Sequence, residues 1–499
     1  MIGGGGESGV TVVGDAERQA RLADAVRANR TGSTTPHVVV VLPAFSLGDS
    51  LLAHYASRLG AYEHRYLLST LMLPRIPGCE LVFVTCQTPE PEVLDYYDRL
   101  GSPDDPGGLT RRLHVLTVDD RSPRGVSAKL LDRPDLVQRL RRLTEGRITL
   151  IEPWNVTETE VEIARALEAP LNGTDPELWP LCFKSAGRKL FRSVDVPTPE
   201  GIEDVRDVAG VGEAVARIRR SRPRLAGVVV KHDNSGAGDG NVVVAVRDPN
   251  GRRIGRGDLV GALEGSLPQW YVTDLGAGGV VEELLTGRDV RSPSAQVDVL
   301  PDGSVRVLST HEQILGGDNG QVYSGCRFPA DPAYATRLGE YAVAVAQWLA
   351  DRGARGRLGI DFLAVRRQRE WDVRALEVNL RKGGTTHPFA ALRHLAPGAY
   401  DVSTGRYELA TGGGTRCYRS SDGLMDPSWT SLTPRQVIGA VAAAGLEFDP
   451  ARRTGVVLHM LSCLRVDGRL GVTAIGEDAD EVERLYAATE RVVTSLLRA

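Results

Sequence analysis

Lysine is nearly missing from this 499-residue chain. Of 60 basic residues only five are lysine (Lys129, Lys184, Lys189, Lys231 and Lys382), and the rest are arginine. A lysine kept against such a bias marks a place where a compact ammonium is preferred to a planar fork. Cysteine is sparse too. The six thiols, Cys79, Cys86, Cys182, Cys326, Cys417 and Cys463, form no CxxC pair. That excludes a zinc ribbon or a disulfide framework and predicts reduced thiols in a cytoplasmic protein. No apolar run approaches the ~20 residues that span a bilayer. The opening Met-Ile-Gly-Gly-Gly-Gly lacks the regions of a signal peptide. Neither sign of charge dominates: the formal net charge is −4. The sequence therefore predicts no membrane and no nucleic-acid partner. It leaves a homo-oligomer open.

What is present is an ordinary soluble composition, 42% apolar and 25% charged, long enough for about three domains. Residues 1–35 read as a flexible lead with one helix, 15–28. Apolar runs at 37–42, 80–85, 112–118 and 147–151 alternate with helical stretches near 49–60, 127–143 and 157–168. That alternation predicts an α/β domain with a mainly parallel sheet over 36–172. From 173 to 398 the pattern becomes α+β. A helix at 182–193 precedes strands at 226–231, 241–246, 279–284, 294–300 and 305–310, a helix at 332–350, and strands at 357–365 and 371–378. Residues 399–499 read as a small C-terminal domain, with a helix at 434–444, strands at 455–466 and 470–475, and a closing helix at 478–497.

Three segments carry chemistry. In Val228-Val229-Val230-Lys231 a strand ends in lysine, and a loop from Ser235 to Gly240 follows, with Gly236, Gly238 and Gly240. Such glycines let backbone N–H groups wrap an anion; an ordinary hairpin is the alternative. In Glu282-Glu283-Leu284-Leu285, followed by Asp289, a strand end offers backbone groups to a purine edge and a carboxylate to ribose hydroxyls; a solvated strand end is the alternative. In the third, Glu377 and Asn379 project to one face of a strand, and Asp361 joins them if the preceding strand pairs with it. Two carboxylates and an amide oxygen suit Mg²⁺. Arg381 follows on the same face, with a fork suited to phosphate or carboxylate, and Lys382 comes next.

In this order the segments resemble the ATP-grasp superfamily over about 172–398, and the domain before them resembles its pre-ATP-grasp domain. The resemblance implies an ATP-grasp fold, with ATP and Mg²⁺ as cofactors. Lys184 and Lys231 would contact ATP phosphates under the Ser235–Gly240 loop. Glu282, Glu283 and Leu285 would form the adenine hinge, and Asp289 would hold ribose. Asp361, Glu377 and Asn379 would bind the metal. A narrower resemblance lies in Thr310-His311-Glu312-Gln313, Gly325-Cys326-Arg327-Phe328-Pro329 and Asn379-Leu380-Arg381-Lys382-Gly383-Gly384-Thr385-Thr386-His387-Pro388. These look like the pheganomycin-type peptide ligases of actinomycetes. That implies activation of an amino-acid carboxylate as an acylphosphate and its transfer to a peptide amine, in antibiotic metabolism.

On that reading Arg381 and Lys382 stabilise the reacting oxygens. Loops 235–240 and 311–330, with Gly316, Gly317, Gly320 and Gly325 as hinges, keep water off the acylphosphate. Arg291, His311, Arg327 and His387 are candidate substrate contacts, each weighed against a structural role. Trp154 and Tyr323 are weighed between a pocket and the core. Two other classes compete: an ATP-grasp enzyme that stops at phosphorylation or uses another acceptor, a thiol or small amine, and a nucleotide-binding module without catalysis.

Overall fold

The computed structural model describes residues 15–45, 52–53, 55–235, 240–316 and 322–497. Four strands, β1 (His37–Leu42), β2 (Cys79–Thr85), β3 (Leu113–Thr117) and β4 (Ile148–Pro153), form an all-parallel sheet in the order β3-β2-β1-β4. β1 is buried on both faces, as its unbroken apolar run requires. The chain leaves β1 for β2 on one side and returns to β4 on the other, so the sheet has a switch point between β1 and β4. Ligands of open α/β sheets bind outside the carboxyl ends of such strands. The helices Asp15–Ala20 and Leu22–Ala28 pack on this domain, with Gln19 hydrogen-bonded to the Leu171 backbone, so this part of the expected lead is ordered.

A second, antiparallel sheet of β5 (Gly201–Ile202), β6 (Gly227–His232), β7 (Asn241–Ala245) and β8 (Gly279–Glu283) has the order β5-β8-β6-β7. The largest sheet begins with β9 (Val290–Val299), β10 (Val305–Gly316), β11 (Val322–Phe328), β12 (Gly356–Arg367) and β13 (Glu370–Asn379). Helix Pro332–Ala350 buries Tyr334, Leu338, Ala342, Val345 and Leu349 in the core it shares with β9, β12 and β13. These lie three and four residues apart, on one helical face.

Two expectations fail here. Most of the described part of 311–330 is not loop: β10 and β11 pair there, with Gln313 opposite Cys326. Gly317 and Gly320 lie outside the described residues. The C-terminal segment has the expected α+β elements, and its strands join a sheet begun by the preceding segment. After the small hairpin β14 (Gly398–Asp401) and β15 (Arg406–Leu409), the strands β16 (Cys417–Met425), β17 (Gly455–His459) and β18 (Arg469–Gly476) extend the largest sheet. Its order is β13-β12-β9-β10-β11-β16-β18-β17. β16 pairs with β11 through Cys326 and Ser420, partners almost a hundred residues apart that no local pattern reveals. The expected strand 455–466 stops at His459, where the chain turns through Met460 at φ +54 into short helical turns.

Candidate active site

Two lysines arrive from different elements. Lys231 ends the buried strand β6, and its Nζ donates to Glu282 Oε2 of β8 at 2.6 Å. Arg188 donates to the other Glu282 oxygen at 2.5 Å and to Glu203 at 2.7 Å. Burial works against ionised Glu282, but Lys231 and Arg188 outweigh it and hold the carboxyl below its usual range. Lys184 opens the helix Lys184–Ser193, which is docked by Ser185 N–H donating to Asp233 Oδ1 at 2.8 Å. Its Nζ donates to the Ser235 carbonyl at 2.7 Å and to Ser235 Oγ at 3.0 Å. Gly240 closes the same loop at φ +83; Gly236 and Gly238 lie outside the described residues.

At the end of β8 the Glu283 carboxylate accepts from Glu200 N–H and Arg222 Nε, and Leu285 follows half-buried beyond the strand. Asp289 does not stand alone. It pairs with Arg291 at 3.2 Å.

The expected pairing of β12 with β13 holds, with Asp361 opposite Glu377 and Gly359 opposite Asn379. Two carboxylates therefore meet across the ladder. Burial, and then Glu377, push Asp361 up to about 7. Glu377 is opposed by burial but held low by Lys184, whose Nζ is 3.4 Å from Glu377 Oε2, and by Arg381. Gln313 and Asn379 each donate an amide N–H to Asp361, at 2.6 Å and 3.0 Å. Ser294, opposite Asp361 on β9, has a buried Oγ without a partner among the described residues. Clustered carboxylates, an amide oxygen and an orphaned hydroxyl fit a hard divalent cation.

Past Asn379 the two candidate catalytic groups diverge. The Arg381 guanidinium lies over the Trp154 ring, 4.8 Å from its centroid, and donates to the Lys382 carbonyl. Lys382 is engaged elsewhere. Its Nζ donates to Glu152 at 2.6 Å and to the Pro153 carbonyl at 2.7 Å, and its N–H donates to the Trp154 carbonyl. It clamps this segment to the end of β4, which leaves Arg381 the less engaged of the two expected groups.

The four expected substrate contacts fare poorly. Arg291 is held by Asp289, by Asp331 at 2.7 Å and by the Trp371 ring. Arg327 binds Glu483 of the last helix at 2.8 Å. His311 is fully buried among Phe328, Phe389 and Tyr418, with Nε2 on the Tyr418 hydroxyl. His387 is fully buried too, with Nε2 on Asp422 Oδ1 at 2.8 Å. In each case a partner distant in sequence takes up the polar group. Sequence reasoning did not single out Arg65, whose guanidinium also lies near the Trp154 ring, nor Tyr66 beside it, nor Asp422 and His459, which meet at 2.8 Å. Nothing in their local contexts marks them, although Trp154, which Arg381 stacks on, had been noticed.

The chain resembles known proteins at two levels. Residues 436–489 match the family model described as PGM1 C-terminal domain. Over 488 residues, 95% of this chain and 97% of the relative, it is 30% identical to an L-propargylglycine–L-glutamate ligase of Streptantibioticus cattleyicolor. The chain belongs to the ATP-grasp carboxylate–amine ligases. The fold agrees. A biotin carboxylase–ATP complex from Campylobacter jejuni superposes with TM-score 0.56 at 14% identity, over 95% of this chain and 96% of that one. An ADP complex of N5-carboxyaminoimidazole ribonucleotide synthetase does so with TM-score 0.53 at 13% identity, over 94% of this chain and all of that one. This ATP-grasp enzyme is thus an ATP-dependent ligase with carboxylate and amine substrates. Among the described residues no helix is long and apolar enough to cross a membrane.

Proposed function

We propose that this ATP-grasp ligase activates an amino-acid carboxylate as an acylphosphate and joins it to the amine of an amino acid or peptide, in the secondary metabolism that makes peptide antibiotics. The similar ligase named for L-propargylglycine and L-glutamate supports amino acids on both sides. The observation that carries the reading is the meeting of Lys184 with Glu377 at 3.4 Å, which joins the phosphate-side lysines to the carboxylate pair.

A carboxylate oxygen attacks the γ-phosphorus and ADP leaves. The amine nitrogen then attacks the acyl carbon, the C–O bond to phosphate breaks, and the nitrogen gives up a proton. Lys184 and Lys231 hold the phosphates, with Glu282 and Arg188 fixing the Lys231 ammonium. Glu283, Leu285 and Asp289 line the path expected for adenine and ribose. Asp361, Glu377 and Asn379 would hold Mg²⁺, which supplies neutralising charge at the phosphates. Arg381, stacked on Trp154, has donors left for the oxygens of the acid. Lys382 holds the Arg381 segment in place.

The test is a matrix of amino acids and amines, L-glutamate and short peptides among them, with ADP detection and mass spectrometry of products. Amide product with ADP and phosphate, dependent on both substrates, is expected. AMP with pyrophosphate, or ADP release indifferent to the amine, overturns the reading.

A further inference from the structure

The carboxyl ends of β1 and β4, where the parallel sheet has its switch point, are closed by aromatic rings. Phe45 follows β1 and Trp154 follows β4, with centroids 4.7 Å apart, and Trp154 N–H donates to the Leu42 carbonyl. Arg65 inserts between these rings and its own helical neighbours. Its guanidinium carbon is 4.6 Å from the Phe45 centroid, 4.5 Å from Tyr62, 5.1 Å from Tyr66 and 5.8 Å from Trp154. Arg381 approaches the same indole from the metal-site strand. Two guanidiniums therefore share one indole.

Polar groups inside a fold are nearly always hydrogen-bonded, so an exception asks for a partner. Around this indole three donors lack one among the described residues: Arg65 Nε, Tyr66 Oη and Trp154 Nε1. Tyr66 Oη makes no well-formed hydrogen bond although the Arg65 guanidinium lies against its ring. Burial pushes its phenol up to about 12, so it remains a donor at neutral pH. Arg65 itself is 3% exposed. One acid faces it from β16: Asp422 Oδ2 accepts from Arg65 at 3.2 Å, while Oδ1 accepts from His387 and His459, each at 2.8 Å. Burial holds His387 down to about 4, neutral at pH 7. Asp422 thus answers Arg65, and three donors beside it stay unpartnered among the described residues. Donors of this kind, one of them on a guanidinium, suit the oxygens of a carboxylate.

We propose that Arg65, Tyr66 and Trp154 form the site that binds the non-reacting carboxylate of the amine substrate. Asp422, braced by His387 and His459, positions Arg65 there. The inference rests on the ligase reading above and adds the class of acceptor to it: an α-amino acid or short peptide with a free carboxylate, not a simple amine. Arg381 stacks on the Trp154 indole and follows Asn379 by two residues, so it links this site to the strand that carries Glu377. An acceptor anchored at Arg65 would therefore present its amine toward the acyl carbon.

The test uses the full chain with saturating ATP and acyl donor. L-Glutamate and L-alanyl-L-alanine serve as acceptors, each compared with its α-carboxamide, and Tyr66→Phe and Trp154→Phe are compared with wild type. The wild type is expected to favour the free acids. Tyr66→Phe removes only an unpartnered hydroxyl, so a structural role predicts equal or higher stability and unchanged kinetics. As a carboxylate donor its loss raises the acceptor KM about 10- to 100-fold, the scale of one hydrogen bond to a charged group. The KM for the carboxamide and for ATP stays put, and the melting temperature does not fall. Trp154→Phe keeps a ring for stacking and raises the acceptor KM likewise, although the smaller ring lowers the melting temperature. Carboxamides used as well as acids by wild type, an unchanged acceptor KM in Tyr66→Phe, or a KM rise falling on the acyl donor instead each overturn the assignment. Failure of the ligase reading itself shows differently, as wild-type ADP release that no acceptor stimulates.

Discussion

Around Lys184 and Lys231, buried charges are engaged inside the fold: Lys231 and Arg188 on Glu282, Lys184 on Glu377 and on the Ser235 oxygens. Around Trp154 the plan is reversed. Among the described residues Arg65 Nε, the Tyr66 hydroxyl and the indole N–H have no acceptor, and Asp422 answers Arg65. The first region holds itself ready whatever is bound. On the proposal above, the second is completed by a bound carboxylate. A pre-paired charge costs little while waiting and can exchange its partner for a phosphate, whereas an orphaned donor in an apolar cage favours the one group that satisfies it.

The sharpest way to break this comparison is at the carboxylate pair. Glu377→Gln should abolish amide formation and amine-dependent ADP release while the circular dichroism spectrum and melting temperature remain close to wild type. Retained turnover at ordinary Mg²⁺ would remove Glu377 from the metal set. Next comes the single acid of the cage. Asp422→Asn leaves Arg65 buried without its counter-charge, and urea unfolding should report a loss of about 3–5 kcal/mol. A loss below 1 kcal/mol would mean that Arg65 is not held by this ion pair.

Arg381→Lys keeps a charge but not the fork or its stacking on Trp154. Turnover should fall about 10²-fold, the scale of one transition-state donor, with ATP affinity largely kept, read by steady-state kinetics and calorimetry. Lys231→Ala should weaken ATP binding by about 1.5–3 kcal/mol, the value of a hydrogen bond to a charged group. Equal calorimetric affinities would contradict the phosphate role. Lys129 is a poor control for this experiment. It is fully buried, with Nζ on Cys86 Sγ at 3.2 Å and on the Asp120 carbonyl at 2.8 Å, so its loss disturbs the first domain's core. The smallest effect belongs to Glu483→Ala, which frees Arg327 and Arg419 near the surface. Exposed pairs of this kind contribute less than about 1 kcal/mol, and unfolding midpoints should barely move.

What could be read from the sequence was whatever is local in the chain. Lys231 at a strand end, Glu282 and Glu283 at another, and Glu377-x-Asn379 with Arg381 each sit within a few residues of one another, where strand alternation alone puts side chains on one face. The pairing of Asp361 with Glu377 was within reach because only a short hairpin separates β12 from β13. The C-terminal strands were readable as strands, but their membership of the largest sheet was not, since β16 finds β11 across almost a hundred residues.

The same division separates the two regions of the site. The ordered motifs determined the ATP-grasp fold, the places of Lys184 and Lys231 and the paired carboxylates, because hydrogen-bonded strands and their alternation convert sequence spacing directly into geometry. Only tertiary structure decided that Lys382 is a clamp, that His311 and His387 are buried supports, and that Arg65, Tyr66, Trp154 and Asp422 share one cage. Those four come from a helical segment, a strand end and a distant strand, and each is unremarkable among its own neighbours. Packing, which depends on shape and burial and not on separation along the chain, is what brings them within hydrogen-bonding and stacking distance.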